Sequence, residues 1–538
     1  MPEKPPPSSA AHQTDLVETL QSLVVAFVLA MTFRGFVVEG FVIPTGSMAP
    51  TLMGAHTRVQ SRQTGWEFAV GMDQSSPNAG ALIADPMLGP TYAGSALAPN
   101  VPQRRMGDRI LVLKCLYPFS EPHRFDVVVF KNPTRSQGDE ANYIKRLIGL
   151  PNEELWLVDG DVFARHSGDS EFRIQRKPEH VQRAVWQPVH DSDFTPVNVD
   201  RLSEQSGRRW PGPPWTGDPA IWDLGGRSYR CSSDGPCELT WDSSRRELDD
   251  WTAYNMLSYP GFDRRRYLSW VSDLRVAATI VPERDGLITR LELQARSQVF
   301  EFIIEPTRAI MRMRPAEGGD SGAGVIERSQ AIELPGAGRA FTVECWHVDQ
   351  QMRLFIDGDE VMQPLTYDWA PVQRLQNSAG VFTSDNPETL LNRSVLPPRL
   401  KWTFQGSPLT LNRVRVDRDL HYRRDSLPSK AVENPTNPGF ENIVRPGMPA
   451  FGTHPDNLAH LGPDHFMMAG DNSQMSLDSR LWGNPDRLVA SQIDPAPFVV
   501  NRKLLLGKAW VVYFPALYPL KHEGVPVIPD FGRLRFIR

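Results

Sequence analysis

Phe41-Val-Ile-Pro-Thr-Gly-Ser-Met-Ala-Pro-Thr-Leu52 follows directly on the one apolar segment of this chain long enough to reach across a bilayer. Residues 36–43 are rich in β-branched and aromatic side chains and predict a strand. Pro44 ends it, and Gly46 lets the backbone turn tightly beside Ser47. A serine hydroxyl is a poor nucleophile until a base takes its proton. The best candidate base is Lys145, in Asn142-Tyr-Ile-Lys-Arg-Leu-Ile-Gly-Leu-Pro151. This run is apolar and strand-like, and burial there disfavours the ammonium form and moves a lysine toward the range of a working base.

Upstream, residues 1–15 are proline-rich and read as a disordered tail. Residues 16–38 read as a transmembrane anchor. About 20 residues at 1.5 Å rise cross a hydrocarbon core, with Glu18, Gln21 and Ser22 near one interface and Arg34 snorkelling at the other. Ser47 follows too closely for the segment to be a removable leader, so an uncleaved anchor is expected. Flanking charge gives no orientation, because Lys4 is balanced by Glu3 and Asp15, and Arg34 by Glu39.

At 538 residues the chain exceeds one ordinary core. A net charge of −5 gives no reason to expect nucleic acid. The 48 prolines and 40 glycines favour short strands between turns over long helices. Four cysteines are too few for a disulfide framework. Cys231 and Cys237 bracket a Ser-Ser-Asp-Gly-Pro turn, and both a local disulfide and two unpaired core thiols fit that spacing. No Cys/His spacing makes a zinc site, and neither metal nor cofactor is expected.

Strands are predicted at 109–114, 127–131, 144–148 and 154–158, the last closed by Asp159-Gly160. They give a small all-β core built from residues 39–160 and 425–538, with 54–105 read as a loop insertion to which 66–70 adds one strand. Residues 161–424 form an inserted β-rich domain. Its alternating runs at 272–281, 287–294, 299–304, 340–347, 353–361 and 411–420 predict a concanavalin-like, LamG-like jelly-roll sandwich, with Asp357-Gly358 as a type I′ hairpin turn. Trp210, Trp215, Trp222 and Trp241 read as core or edge residues in preference to a glycan-stacking platform. The basic run 263–266 reads as a solvated turn, and 426–462 as a second long connection. The fold class is therefore mainly β.

Five blocks occur in one order: the Ser47 segment, Gly107-Asp-Arg-Ile-Leu-Val-Leu-Lys114, Arg124-Phe-Asp-Val-Val-Val-Phe-Lys131, the Lys145 segment, and Gly470-Asp-Asn-Ser-Gln-Met-Ser-Leu-Asp-Ser-Arg-Leu-Trp-Gly483. Together they resemble bacterial type I signal peptidase, on the two flanks of the inserted domain. The resemblance implies a Ser47–Lys145 dyad, an oxyanion hole of the Ser47 N–H and the Thr45 hydroxyl, and Ser476 as the residue that orients the lysine. It also implies structural ion pairs among Arg146, Asp471, Asp478 and Arg480. Ile43, Met48, Leu52, Tyr143 and Ile144 would line the pocket for the residue before the cut, and Phe41, Ile43, Val129 and Ile144 the pocket two residues earlier, with Asn142 beside it. Such walls admit alanine, the Ala-x-Ala character of signal-peptide sites. Thr45 stands for a more common serine, Asn142 for a common aspartate, and Ser473-Gln-Met475 for Arg-Asp-Asn. The partners implied are secretory preproteins and a lipid bilayer. The place implied is a bacterial cytoplasmic membrane, with the catalytic domain on the extracytoplasmic side. Two other readings stay open: a processing peptidase for a narrow substrate set, and a non-catalytic glycan- or envelope-binding protein that uses the sandwich.

Overall fold

The computed structural model describes residues 16–72, 82–97, 105–135, 142–256, 268–317, 324–429, 444–514, 517–519, 526–529 and 531–538. The expected tail, the basic run 263–266 and the middle of the 426–462 connection lie outside them. The apolar helix Leu16–Thr32 continues into a π-helical turn, Phe33–Val37. Glu18–Val37 is a 20-residue stretch of mean hydropathy 1.8 with none of it buried, long and apolar enough to cross a membrane. The strand predicted from residue 36 starts at Val38, whose N–H still donates to the Phe33 carbonyl and so prolongs the helical turn.

From there the chain enters an eight-stranded antiparallel sheet. Its order is Val38–Val42, Arg109–Leu113, Leu505–Phe514, Val127–Lys131, Asn142–Gly149, His465–Ala469 and Val500–Asn501, with Arg535–Phe536 beside Leu505–Phe514. Successive residues face opposite sides. Val127 and Val129 pack with Ile43, Met48, Leu52, Ile110, Val112 and Ile144, whereas Val128 and Phe130 pack with Leu147, Phe466, Met468 and Trp482. Both faces are covered, which is why Val127-Val-Val-Phe130 reads as continuous rather than alternating. A smaller sheet, Arg173–Ile174, Asp161–His166, Glu153–Val158 and Ala459–His460, extends this part of the molecule.

Residues 54–105, expected as a loop with one strand, hold two hairpins among the described residues: His56–Gln60 with Glu67–Gly71, and Leu82–Ala84 with Ala93–Leu97. Val59, Val70 and Ile83 are buried together, so burial against neighbours orders a stretch whose composition favours turns.

At the neck of the insertion Gly160 bridges Tyr422, so the chain leaves and returns at one point. Beyond it stands a two-sheet sandwich. One sheet runs Trp222–Asp223, Tyr229–Cys231, Leu409–Arg418, Leu274–Pro282, Phe341–Val348, Gln351–Ile356 and Asp359–Glu360, joined at its sides by Gln187–Asp191 and Leu365–Thr366. The other runs Trp215–Thr216, Cys237–Trp241, Arg399–Gln405, Ile288–Ala295, Gln298–Glu305, Arg308–Pro315 and Ile326–Ala331. Asp357 and Gly358 both have positive φ, as their hairpin requires. Trp215, Trp222 and Trp241 are buried in the core between the sheets, while Trp210 packs beside Leu88, Tyr92 and Leu202. Cys231 and Cys237 are buried free thiols with Sγ atoms 2.8 Å apart.

Candidate active site

Ser47 lies in a buried single-turn 3-10 helix, Gly46–Met48. Lys145 lies in the strand Asn142–Gly149, opposite Val128 in the neighbouring strand. The two meet: Lys145 Nζ is 2.7 Å from Ser47 Oγ and 3.1 Å from the Ile144 carbonyl. The Tyr143 ring centroid is 5.2 Å from the same nitrogen. Lys145 is 3% exposed. Burial pulls its pKa down to about 8, against the opposing pull of the Asp478 and Asp471 carboxylates. At that value a useful fraction is neutral near pH 8, as a general base requires.

Each of those carboxylates has its own arginine. Arg146 forms a two-pronged pair with Asp471, at 2.7 and 2.6 Å, which also accepts from the Thr51 hydroxyl at 2.5 Å. Arg480 pairs with Asp478 at 2.9 and 2.8 Å. Burial works against the Asp478 carboxylate, yet the Arg480 guanidinium holds it below the usual range. All four side chains are fully buried. They clamp the loop that begins at Gly470 onto the lysine strand while meeting most of the charge that would otherwise keep Lys145 protonated. Gly470 itself leaves no room for a side chain, since a Cβ there would come within 2.5 Å of the Ser47 carbonyl oxygen and 2.2 Å of Ser476 Oγ.

Ser476 is buried beside Gly470 and Asp478 and makes no hydrogen bond to Lys145. Thr45 is exposed at the start of the Ser47 turn, in extended backbone. Ile43, Met48, Leu52, Val129 and Ile144 form one buried cluster, with Phe41 packed against it. Tyr143 sits apart from them, against Phe130 and Trp482. Asn142 begins the lysine strand, opposite Lys131. Away from this site, the buried carboxylates of Asp161, Asp349 and Asp419 converge closely enough to hold a cation. The Lys177 ammonium already lies there, 2.6 Å from Asp349 and 2.8 Å from Asp419.

One residue inside the quoted blocks carries more than its motif suggests. Asn472 donates its main-chain N–H to the Ser47 carbonyl and its side-chain Nδ2 to the Gly46 carbonyl, both at 3.0 Å. Its amide is matched by Asn255, which comes from the inserted domain. No sequence signal marks Asn255, a single polar residue some two hundred positions from its partner.

The family described as signal peptidase, peptidase S26, matches residues 92–198, which include the lysine strand and the start of the insertion. Relatives carry the same name. Signal peptidase I of Leptolyngbya laminosa is 27% identical over 220 residues, 39% of this chain and 80% of that protein.

These matches support a type I signal peptidase with an extra domain.

A probable signal peptidase I-2 of Synechocystis is 23% identical over 36% of this chain and 65% of its own length. Signal peptidase I of Rickettsia bellii is 26% identical over 27% of this chain and 37% of its own length. The chain thus spans most of one relative and about a third of another. Solved structures that align include a carbohydrate binding module from Bacillus subtilis, 11% identical over 38% of this chain and 95% of that one. At a TM-score of 0.21, nothing about the sandwich follows from that likeness.

Proposed function

We propose that this protein removes N-terminal signal peptides from exported preproteins, cutting after Ala-x-Ala-like sites with a Ser47–Lys145 dyad. The observation that carries the reading is the 2.7 Å contact of Lys145 Nζ with Ser47 Oγ at a lysine whose pKa is drawn down to about 8. Neutral Lys145 takes the Ser47 proton as Oγ attacks the scissile carbonyl carbon. The oxyanion is met by the Ser47 N–H and the Thr45 hydroxyl. The tetrahedral intermediate collapses, the C–N bond breaks, and the Lys145 ammonium returns the proton to the departing amine. Water, activated by the same lysine, then releases the acyl group and restores Ser47.

The lysine-orienting role of Ser476 rests on the resemblance, since Ser476 lies buried beside Gly470 and makes no hydrogen bond to Lys145. The cluster of Ile43, Met48, Leu52, Val129 and Ile144 supplies small apolar walls and Phe41 borders them, whereas Tyr143 packs on the other face of the sheet with Phe130 and Trp482. Edge backbone near Ser47 pairs with an extended substrate by strand addition. The apolar helix anchors the site at a bilayer surface, on the extracytoplasmic side of a bacterial membrane, where a signal helix ends. A glycan-binding role draws no support from the four candidate tryptophans, three of which fill the sandwich core.

The test is cleavage of a detergent-solubilised preprotein by the intact protein beside Ser47→Ala and Lys145→Ala. The parent should cut after Ala-x-Ala, and both variants should be folded and inactive. An inactive parent, or a variant that still cuts, overturns the reading.

A further inference from the structure

The inserted domain does not stand clear of the catalytic site. Its segment 249–256 reaches back across the molecule and closes on the nucleophile turn. Asn255 and Asn472 exchange reciprocal amide bonds: Asn255 Nδ2 donates to Asn472 Oδ1 at 2.9 Å, and Asn472 Nδ2 donates to Asn255 Oδ1 at 2.8 Å. Both residues are buried. The second Nδ2 hydrogen of Asn472 goes to the Gly46 carbonyl at 3.0 Å, so Asn472 has every amide group engaged. Asn255 Nδ2 also donates to Gln474 Oε1 at 3.1 Å, and Gln474 Nε2 donates to the Asp250 carbonyl at 3.0 Å. Beside them the Tyr254 ring lies so close to Gly46 that a Cβ there would come within 2.2 Å of it.

The carbonyl of Gly46 and the N–H of Ser47 belong to one planar trans peptide. Whatever fixes the first aims the second the opposite way. The Ser47 N–H is the donor that the proposed mechanism assigns to the oxyanion, and donors of this kind act by being aimed before the charge develops. We infer that Asn255 of the inserted domain is a positioning residue for catalysis: through Asn472 it locks the Gly46–Ser47 peptide so that the Ser47 N–H faces the developing oxyanion. Ser473 and Gln474, two positions at which the last block departs from the usual family pattern, serve this docking. Ser473 Oγ accepts from the Arg423 N–H at 2.9 Å, where the insertion returns, and Gln474 bridges to Asp250.

The inference rests on the proposed peptidase activity, so the test first requires a parent that cleaves preprotein. Asn255→Ala is then compared in the full chain in detergent, with kcat taken per folded molecule from circular dichroism. The expected result is a fall in kcat of about 10- to 100-fold, less than full removal of an oxyanion donor. KM should stay within about twofold, and the acid limb of the pH profile should keep its midpoint, because Lys145 is untouched. In an Asn472→Ala background, Asn255→Ala should add little, since both act through one peptide. Gln474→Ala cuts only the outer link and should show the same signature at a few-fold loss, which covers the case of a poorly folding Asn255 variant. A kcat within twofold of the parent in both single variants, or a loss confined to KM, overturns the inference and leaves the peptidase reading intact. An inactive parent overturns both.

Discussion

Two of the contacts between the inserted domain and the catalytic part of the chain are built from opposite materials. At the neck the contact is ionic: Arg296 binds Asp159 at 2.8 Å and Asp273 at 2.9 and 2.8 Å, and Arg374 binds Asp159 at 2.9 Å and Asp161 at 2.6 Å. Arg296 and Arg374 are both fully buried. Beside Ser47 the contact is made by neutral amides, and Asp250 offers only its carbonyl while its carboxylate pairs with Arg423 at 3.2 Å. The difference follows from what each place must leave undisturbed. A buried ion network far from the lysine adds strength and direction, whereas an extra carboxylate beside Lys145 would hold its proton on. Amides fix geometry with little field.

The comparison can be broken from the neck. Arg374→Ala leaves Asp159 and Asp161 short of a buried counter-charge and should destabilise the protein by about 3–5 kcal/mol, read by denaturant unfolding. Activity per folded molecule should be unchanged. An intact stability with a reduced kcat would mean that the neck, not the amide contact, governs the site.

The pH profile sharpens the other side. With Lys145 near pKa 8 and neutral lysine as the active form, activity should rise with pH through about 8. At pH 6, two units below, the rate should be roughly a hundredth of its plateau. A flat profile between pH 6 and 9 would exclude Lys145 as the titrating base. A charge placed in the neutral contact tests its design directly: Asn472→Asp should move the acid limb up by about one unit, a tenfold loss at pH 7 on top of the lower plateau kcat that follows from losing its Nδ2 donor. A midpoint that stays put would show that this position lies outside the field of the lysine. The smallest effect belongs to the far end of the sandwich. Gly358 has φ of +92° and open space around its Cα, so Gly358→Ala should cost about 1 kcal/mol through backbone strain alone, seen as a few degrees in Tm with no change in kcat.

How much was legible varies along the chain for physical reasons. Val127–Lys131 and Asn142–Gly149 are short apolar runs between turns, and period and composition identify them almost to the residue. Asp357-Gly358 announces its turn because few residues take positive φ cheaply. The turns Arg296-Ser297 and Asp349-Gln350 take positive φ without glycine and carried no such signal. Arg296 is held by Asp159 and Asp273, and Asp349 by Lys177, so buried ion pairs offset a conformation that local preference opposes. Within 54–105 only the strand at 66–70 was expected, found at Glu67–Gly71; its hairpin partners carry no signal for a like reason, as they are stabilised by what packs on them.

The apolar helix, the mainly β class, the turn at Ser47 and the apolar strand around Lys145 could all be read from residue order alone. These depend on residue type and spacing within a few positions, where covalent geometry and side-chain preference dominate. It took the folded chain to bring Lys145 Nζ within 2.7 Å of Ser47 Oγ across 98 residues, Tyr143 against Trp482, and Asn255 onto Asn472 across 217. Such contacts are set by how sheets and an inserted domain dock, and a hydrogen bond between two ordinary asparagines leaves no pattern in either neighbourhood.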